Sequence, residues 1–220
     1  MYGNVKAHKQ DNPIRPIISQ IMTPTYHLAK TLKGIINPYS PTSYCLKSSY
    51  DFVDLLQTNK ATGIIASLDV ESMFTNLPIK DTIDIVIDRC YNHPILPKPK
   101  LEKTHLKSLL EICTTESIFR CPRGKMYCQV DGVSMGSPLG PIFADFYLGN
   151  MEEKIFENEK LKLLIYGRYV DDIFIKAENK SKIRLVKQEF EKHSKLKFKI
   201  EWSVDNKISF LDVLVENKNS

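Results

Sequence analysis

Tyr169-Val170-Asp171-Asp172 sets two adjacent carboxylates between apolar runs, Leu163-Leu164-Ile165 before and Ile173-Phe174-Ile175 after. Each run has the composition of a buried strand, so the pattern predicts a hairpin with the carboxylates at its turn. Ionised aspartate is rarely buried without a partner. Two carboxylates at the tip of an apolar hairpin therefore point to a divalent cation. A third, Asp69, closes the apolar run Gly63-Ile64-Ile65-Ala66-Ser67-Leu68. If that strand lies beside the hairpin, three carboxylates converge at one end of a sheet. Such a platform can hold two Mg²⁺ ions about 3.5–4 Å apart, the layout for in-line displacement at phosphorus. Mg²⁺ suits it because the ion takes few carboxylates and leaves positions for phosphate oxygens and water. Read singly, Asp69 is a strand end and Asp171-Asp172 a polar turn; the set is what points to chemistry.

Two further segments supply groups for a phosphorylated ligand. Gly132-Val133-Ser134-Met135-Gly136-Ser137-Pro138 places small residues just before a helical pattern, where backbone can approach a ligand closely and offer N–H groups to phosphate or a base. Lys6, Lys9 and Arg15 are suited to a triphosphate, lysine as a point charge and arginine as a bidentate fork. Alone, the first is a tight loop and the second a solvated terminus.

The elements that must carry these residues are legible in outline. Pro24 opens a helical pattern through Leu28, Ala29, Leu32, Ile35 and Ile36, closed by Asn37-Pro38. Ser49 or Asp51 is expected to cap a short helix carrying Phe52, Val53, Leu55 and Leu56. Helical spacing also marks 80–91, 101–113, a long segment from Pro138, and 181–194. Strands are expected at 63–68, at 117–121 and 126–130 around a turn, on either side of the aspartates, at 198–202, and within 208–215. Helices and strands mix without a regular βαβ repeat, which predicts an α+β fold with an antiparallel sheet.

The 220 residues suffice for one sizeable domain or two lobes. No apolar run reaches the roughly 18 residues of a membrane span, and Met1–Lys6 lacks a signal-peptide core, so an intracellular protein is expected. The net charge of +5 permits a nucleic-acid partner without demanding one. The lysines between 180 and 199 read equally as a solvated helix face. Cys45, Cys90, Cys113, Cys121 and Cys128 form no CxxC pair and are expected to be reduced; Cys121 and Cys128 are expected to face each other across a hairpin, with too few ligands nearby for zinc.

Together these segments resemble the reverse transcriptases. Ser67-Leu68-Asp69-Val70 followed by Phe74-Thr75-Asn76-Leu77-Pro78 resembles polymerase motif A, Met135-Gly136-Ser137-Pro138-Leu139 motif B, and Tyr169-Val170-Asp171-Asp172 motif C. Arg15-Pro16-Ile17 resembles the fingers motif that meets the incoming nucleotide. The Phe-Thr-Asn form of motif A, the Met-Gly-Ser-Pro form of motif B, Pro24-Thr25-Tyr26-His27-Leu28-Ala29-Lys30 and Phe210-Leu211-Asp212-Val213 look like Penelope-like retroelement polymerases, relatives of telomerase.

The resemblance implies an RNA-directed DNA polymerase of a retroelement, working on an RNA template, a DNA primer and dNTPs in the nucleus, with no membrane and no obligate protein partner. It implies two Mg²⁺ ions, replaceable by Mn²⁺, held by Asp69, Asp171, Asp172 and the Val70 carbonyl. Lys6 and Arg15 would hold the triphosphate, and Met135, Gly136 and Ser137 would line the nascent base pair. Phe74 would exclude a ribose 2′-OH, or simply pack in the core. Phe210 and Leu211 fall at the primer grip, and one lysine of 195–199 falls near the pyrophosphate. Partial fingers are expected over 1–62 and the palm over 63–220, with a fingers-type insertion at about 80–125. Thumb and GIY-YIG endonuclease would lie outside this stretch. A remnant that binds nucleic acid without polymerising, and a metal-dependent nuclease, are the rival readings.

Overall fold

The computed structural model describes residues 2–5, 14–21, 23–115, 118–121 and 124–217, with the backbone alone for Arg15 and Pro16. Along the chain run β1 (Tyr2–Val5), β2 (Ile14–Ile17), α1 (Thr25–Ile36), α2 (Ser49–Thr58), β3 (Ile64–Val70), α3 (Met73–Asn76), α4 (Ile79–Tyr91) and α5 (Lys103–Thr115). They are followed by β4 (Ile118–Arg120), β5 (Met126–Cys128), α6 (Gly140–Phe156), β6 (Ile165–Tyr169), β7 (Asp172–Ala177), α7 (Lys180–His193), β8 (Phe198–Trp202), β9 (Lys207–Phe210) and β10 (Val213–Glu216). The chain forms two compact units, Met1–Ser40 with Phe74–Tyr147, and Pro41–Met73 with Leu148–Ser220.

The first unit is mainly helical. Buried Ile83, Val86, Ile87 and Cys90 recur at i, i+3, i+4 and i+7 on α4, the spacing of one helix face. Leu106, Leu110 and Cys113 do the same on α5, and Ala29, Leu32 and Ile36 on α1. These stripes meet where α5 packs against both α1 and α4. Burial pushes the Cys90 thiol up to about 12 and that of Cys113 to about 11, so both stay protonated core residues. β1 pairs antiparallel with β2, and β4 with β5. In the second hairpin Cys128 is opposite Ile118, while the Cys121 N–H donates to the Lys125 carbonyl at 2.8 Å. The two thiols expected to face each other thus sit at different levels of the ladder, and both are free.

The second unit is built on an antiparallel sheet of order β6-β7-β3-β8. Side chains alternate across a strand, so the register sorts them into two faces. One face carries Ala66, Leu68 and Val70 of β3, Ile173 and Ile175 of β7, and Tyr166 and Arg168 of β6. Phe156 of α6 and Phe190 of α7 cover it, with ring contacts to Tyr166 at 4.8 and 6.3 Å. The opposite face carries Ile65, Ser67 and Asp69 of β3. Its far end is closed by an apolar cluster in which Phe52 of α2 and Ile208 and Phe210 of β9 pack on Ile65, Ile165 and Phe174. Each such side chain contributes about 1.5–3 kcal/mol on burial. The near end of that face is left to Asp69 and its neighbours.

Several boundaries differ from those expected. The cap of α2 is Ser48, whose Oγ accepts the Asp51 N–H at 3.2 Å, while Asp51 Oδ2 accepts the Lys47 N–H at 2.8 Å. Asp69 lies inside β3 rather than after it, because pairing with both neighbours continues to Val70. α6 begins at Gly140, two residues beyond Pro138. The apolar stretch 208–215 breaks into β9 and β10 at Leu211-Asp212. Among the described residues no helix is long and apolar enough to cross a membrane.

Candidate active site

β3 places Asp69 directly across from Asp172 at the start of β7. The Val70 N–H points to the Asp171 carbonyl at 3.4 Å, which ties the turn to the end of β3. Cross-strand partners share a face, with Cβ atoms about 4.5–5.5 Å apart. Asp172 is exposed, and Asp69 and Asp171 are half-buried. On the other side of β3, Asp69 is opposite Lys199 of β8, so the row Asp172–Asp69–Lys199 crosses three strands. Of the lysines from 195 to 199, Lys199 is the one the register sets beside a carboxylate.

The turn itself is constrained. Tyr169 pairs with Asp172, leaving Val170-Asp171 as a two-residue loop, and Val170 has φ 55°. A left-handed β-branched residue is a genuine outlier, costing about 1–3 kcal/mol where surroundings enforce it. Behind it, on the helix-covered face, Arg168 is 0% exposed and Glu152 of α6 is 1% exposed. Arg168 Nε donates to Glu152 Oε1 at 2.5 Å and Nη2 to Oε2 at 3.2 Å. Nη1 donates to the Val170 carbonyl at 2.9 Å, and Nη2 also lies 3.0 Å from Cys45 Sγ. The Tyr166 hydroxyl donates to Glu152 Oε1 at 2.7 Å. Burial alone would loosen the guanidinium's proton, but the Glu152 charge and hydrogen bonds outweigh it and hold Arg168 charged. Burial, then the Glu152 charge, holds the Tyr166 hydroxyl well above its ordinary value.

In the first unit the loop before α6 is held from both sides. The Val133 N–H donates to the Phe74 carbonyl at 2.7 Å, and the Met135 carbonyl accepts the Ile18 N–H at 3.0 Å. Gln20 Nε2 donates to buried Ser134 Oγ at 2.7 Å. Gly132 and Gly136 have φ 67° and 120°, and a Cβ on Gly136 would stand 2.6 Å from the Ile18 carbonyl oxygen, so a side chain there is excluded twice over. The loop lines a cavity of about 920 Å³ together with Phe74, Tyr26, Lys30 and Lys33. Phe74 is half-buried, close enough to Gly140 that a Cβ there would sit 3.4 Å from its ring. The ring thus has a packed edge and a cavity edge, and both readings of Phe74 have a structural counterpart.

The expected residues therefore fall into four groups. Asp69, Val70, Asp171 and Asp172 are brought together in the second unit. Phe74, Met135, Gly136 and Ser137 share one cavity in the first. Lys6 and Lys9 lie outside the described residues, and Arg15 is described only by its backbone, paired with Asn4. Phe210 is buried in the apolar cluster, with Leu211 in the turn after it. Sequence reasoning passed over Arg168, Glu152 and Tyr166, and gave Cys45 no role beyond that of a reduced thiol. The available signal was the alternation of Ile165–Tyr169, which puts Arg168 on the same side as Tyr166.

Carboxylates and a backbone carbonyl are the oxygen donors a hard divalent cation takes. The register sets Asp69 opposite Asp172 and the turn ties the Asp171 backbone to Val70, so donor chemistry and backbone placement suit such an ion. Among the described residues, no three His, Cys, Asp or Glu side chains are gathered closely enough to hold one as they stand.

An antiparallel sheet covered by α6 and α7 on one face, with carboxylates on a central strand and an adjacent turn, has the architecture of a polymerase palm. Solved structures share this fold. The telomerase of Candida albicans, in complex with a fragment of telomeric RNA, superposes with TM-score 0.64 at 15% identity over 88% of this chain and 37% of its own. A truncated apo telomerase of Candida tropicalis gives 0.59 at 15% identity, over 89% and 44%. The BmCPV RNA-dependent RNA polymerase in its elongation state gives 0.58 at 13% identity, over 94% and 20%. The chain thus spans less than half the length of each. No curated protein matches the chain in sequence. The family model for reverse transcriptase (RNA-dependent DNA polymerase) matches residues 7–211, and the chain belongs to that family.

Proposed function

We propose that this chain is the catalytic core of an RNA-directed DNA polymerase of the Penelope-like retroelement kind. The observation that carries the reading is the register of Asp69 against Asp172, with Asp171 tied to Val70. Asp69, Asp171 and Asp172, with the Val70 carbonyl, would hold two Mg²⁺ ions. Bound there, Mg²⁺ or Mn²⁺ would supply positive charge for the primer 3′-hydroxyl and the leaving pyrophosphate. The 3′-hydroxyl gives up its proton to solvent, and its oxygen bonds to the α-phosphorus of the dNTP as the bond to pyrophosphate breaks. Lys199, beside Asp69, serves the pyrophosphate as proton donor.

Lys6 and Arg15 hold the triphosphate. Met135, Gly136 and Ser137 line the base pair in the cavity with Phe74, whose ring blocks a 2′-hydroxyl. In functional terms the partial fingers cover 1–62 and the palm 63–220, with the fingers-type insertion at about 80–125. A retroelement origin accounts for a nuclear site of action.

Primer extension on an RNA template with Mg²⁺ and labelled dNTPs tests the reading. Extension is expected, and Asp171→Asn should reduce it by several orders of magnitude while the protein stays folded by circular dichroism. Duplex binding without extension would make the chain a binding remnant, and strand cleavage without extension a nuclease. Phe74→Ala should raise ribonucleotide incorporation relative to deoxynucleotide by about tenfold or more, as removal of one steric contact permits. Unchanged discrimination would leave Phe74 as a packing residue.

A further inference from the structure

We propose that Arg168 is a positioning residue, and that its buried pair with Glu152 clamps the catalytic turn from the face opposite the carboxylates. The inference rests on the reading of Asp69, Asp171 and Asp172 as the metal-binding set. A buried ion pair is weak evidence of stabilisation, since well-packed apolar residues of similar volume often do as well. An apolar pair, however, has nothing to offer a backbone carbonyl. The guanidinium presents five donors in a rigid fork. Here Nε and Nη2 face Glu152, which leaves Nη1 aimed at the Val170 carbonyl at 2.9 Å.

That carbonyl belongs to the peptide joining Val170 to Asp171. Fixing it sets the plane from which Asp171, and next Asp172, leave the turn. The residue whose carbonyl is held is the one with φ 55°, which has no intrinsic preference for that conformation. Arg168 is anchored in turn. Its N–H donates to the Tyr44 carbonyl at 2.8 Å and its carbonyl accepts the Leu46 N–H at 2.7 Å, while Cys45 Sγ and the Tyr166 hydroxyl complete the network. The fork is therefore fixed through its backbone, through α6 and through the segment at Cys45, and it transmits that position to one carbonyl.

The test pairs Glu152→Met/Arg168→Met, which removes both charges together, with Arg168→Lys, which keeps the charge without the fork. Three quantities are read: the Val170 ¹³Cα and ¹³Cβ shifts, Mn²⁺ affinity by electron paramagnetic resonance, and kcat and KM for dNTP. In the double variant Val170 should leave the left-handed region, Mn²⁺ affinity should fall about tenfold, and kcat should fall about tenfold to a hundredfold with KM within twofold, the scale of a small misplacement at a reacting centre. Adding Val170→Gly should restore much of the loss, because glycine accepts positive φ without a clamp; a merely structural pair would not respond to that change. Val170 shifts that stay put in a folded double variant would overturn the clamp. Altered shifts with unchanged Mn²⁺ affinity and kcat would overturn the positioning role. If the double variant does not fold, Arg168→Lys decides by the same readings. If the parent protein extends no primer, the polymerase reading fails separately, and the shifts with Mn²⁺ affinity still decide the clamp.

Discussion

The turns Tyr169–Asp172 and Phe210–Val213 share a backbone and differ in what holds it. Each is a two-residue hairpin loop, and each puts a bulky apolar residue in the left-handed region just before an aspartate, Val170 at φ 55° and Leu211 at φ 51°. Glycine is the usual choice at the first position of such a loop. Leu211 is kept there by its side chain, which packs with Val213 and Val215 against the cluster of Phe52, Phe174 and Phe210. Val170 is kept there through its carbonyl, by a buried guanidinium. Apolar packing is non-directional and locates a side chain; a charged donor locates a peptide plane. The turn that carries two carboxylates has the directional restraint, and the turn at Leu211 has the other.

The largest expected effect separates the two restraints by charge. Arg168→Met alone should cost about 3–5 kcal/mol in urea unfolding, because Glu152 is left buried and uncompensated, whereas Glu152→Met/Arg168→Met should lie close to the parent. A double variant as unstable as the single one would mean the pair acts by more than mutual neutralisation.

A smaller effect separates them by sign. Leu211→Gly should lose about 1–2 kcal/mol through lost packing, while Val170→Gly should be neutral or stabilising by up to about 1 kcal/mol through relief of strain. Equal losses at both positions, measured by the same unfolding curves, would erase the distinction.

The smallest effect is in pH. Tyr166 has its folded-state value raised, so its contribution is fully present below the ordinary value of 10.0 and is lost as pH rises above it, where the unfolded tyrosine ionises first. Tyr166→Phe should flatten part of the alkaline limb of the stability profile, and Leu211→Gly should leave its slope as it is. An unchanged slope in Tyr166→Phe would detach Tyr166 from the network behind the Val170 turn.

Much of this was legible in the chain by itself. The helix stripes on α1, α4 and α5 are sequence periodicity made visible, and the paired aspartates between apolar runs announced a hairpin. Local signals marked what neighbours in sequence decide: period, turn chemistry and charge next to apolar runs. They left the cap of α2 one residue off, because serines 48 and 49 are equivalent until one is placed. They left 208–215 unbroken, because an apolar run does not show where a turn with positive φ divides it.

What only the tertiary structure decided is long-range. Asp69 lies 103 positions before Asp172, and nothing local says that β3 pairs with β7 in the register that sets them opposite, or that β8 brings Lys199 to the other side. Arg168 reads as one more basic residue until α6 delivers Glu152 beneath the sheet. The amino-acid sequence by itself determined which residues could do the chemistry; strand register and burial decided which of them meet, since pairing depends on contacts whose partners are far apart in the chain.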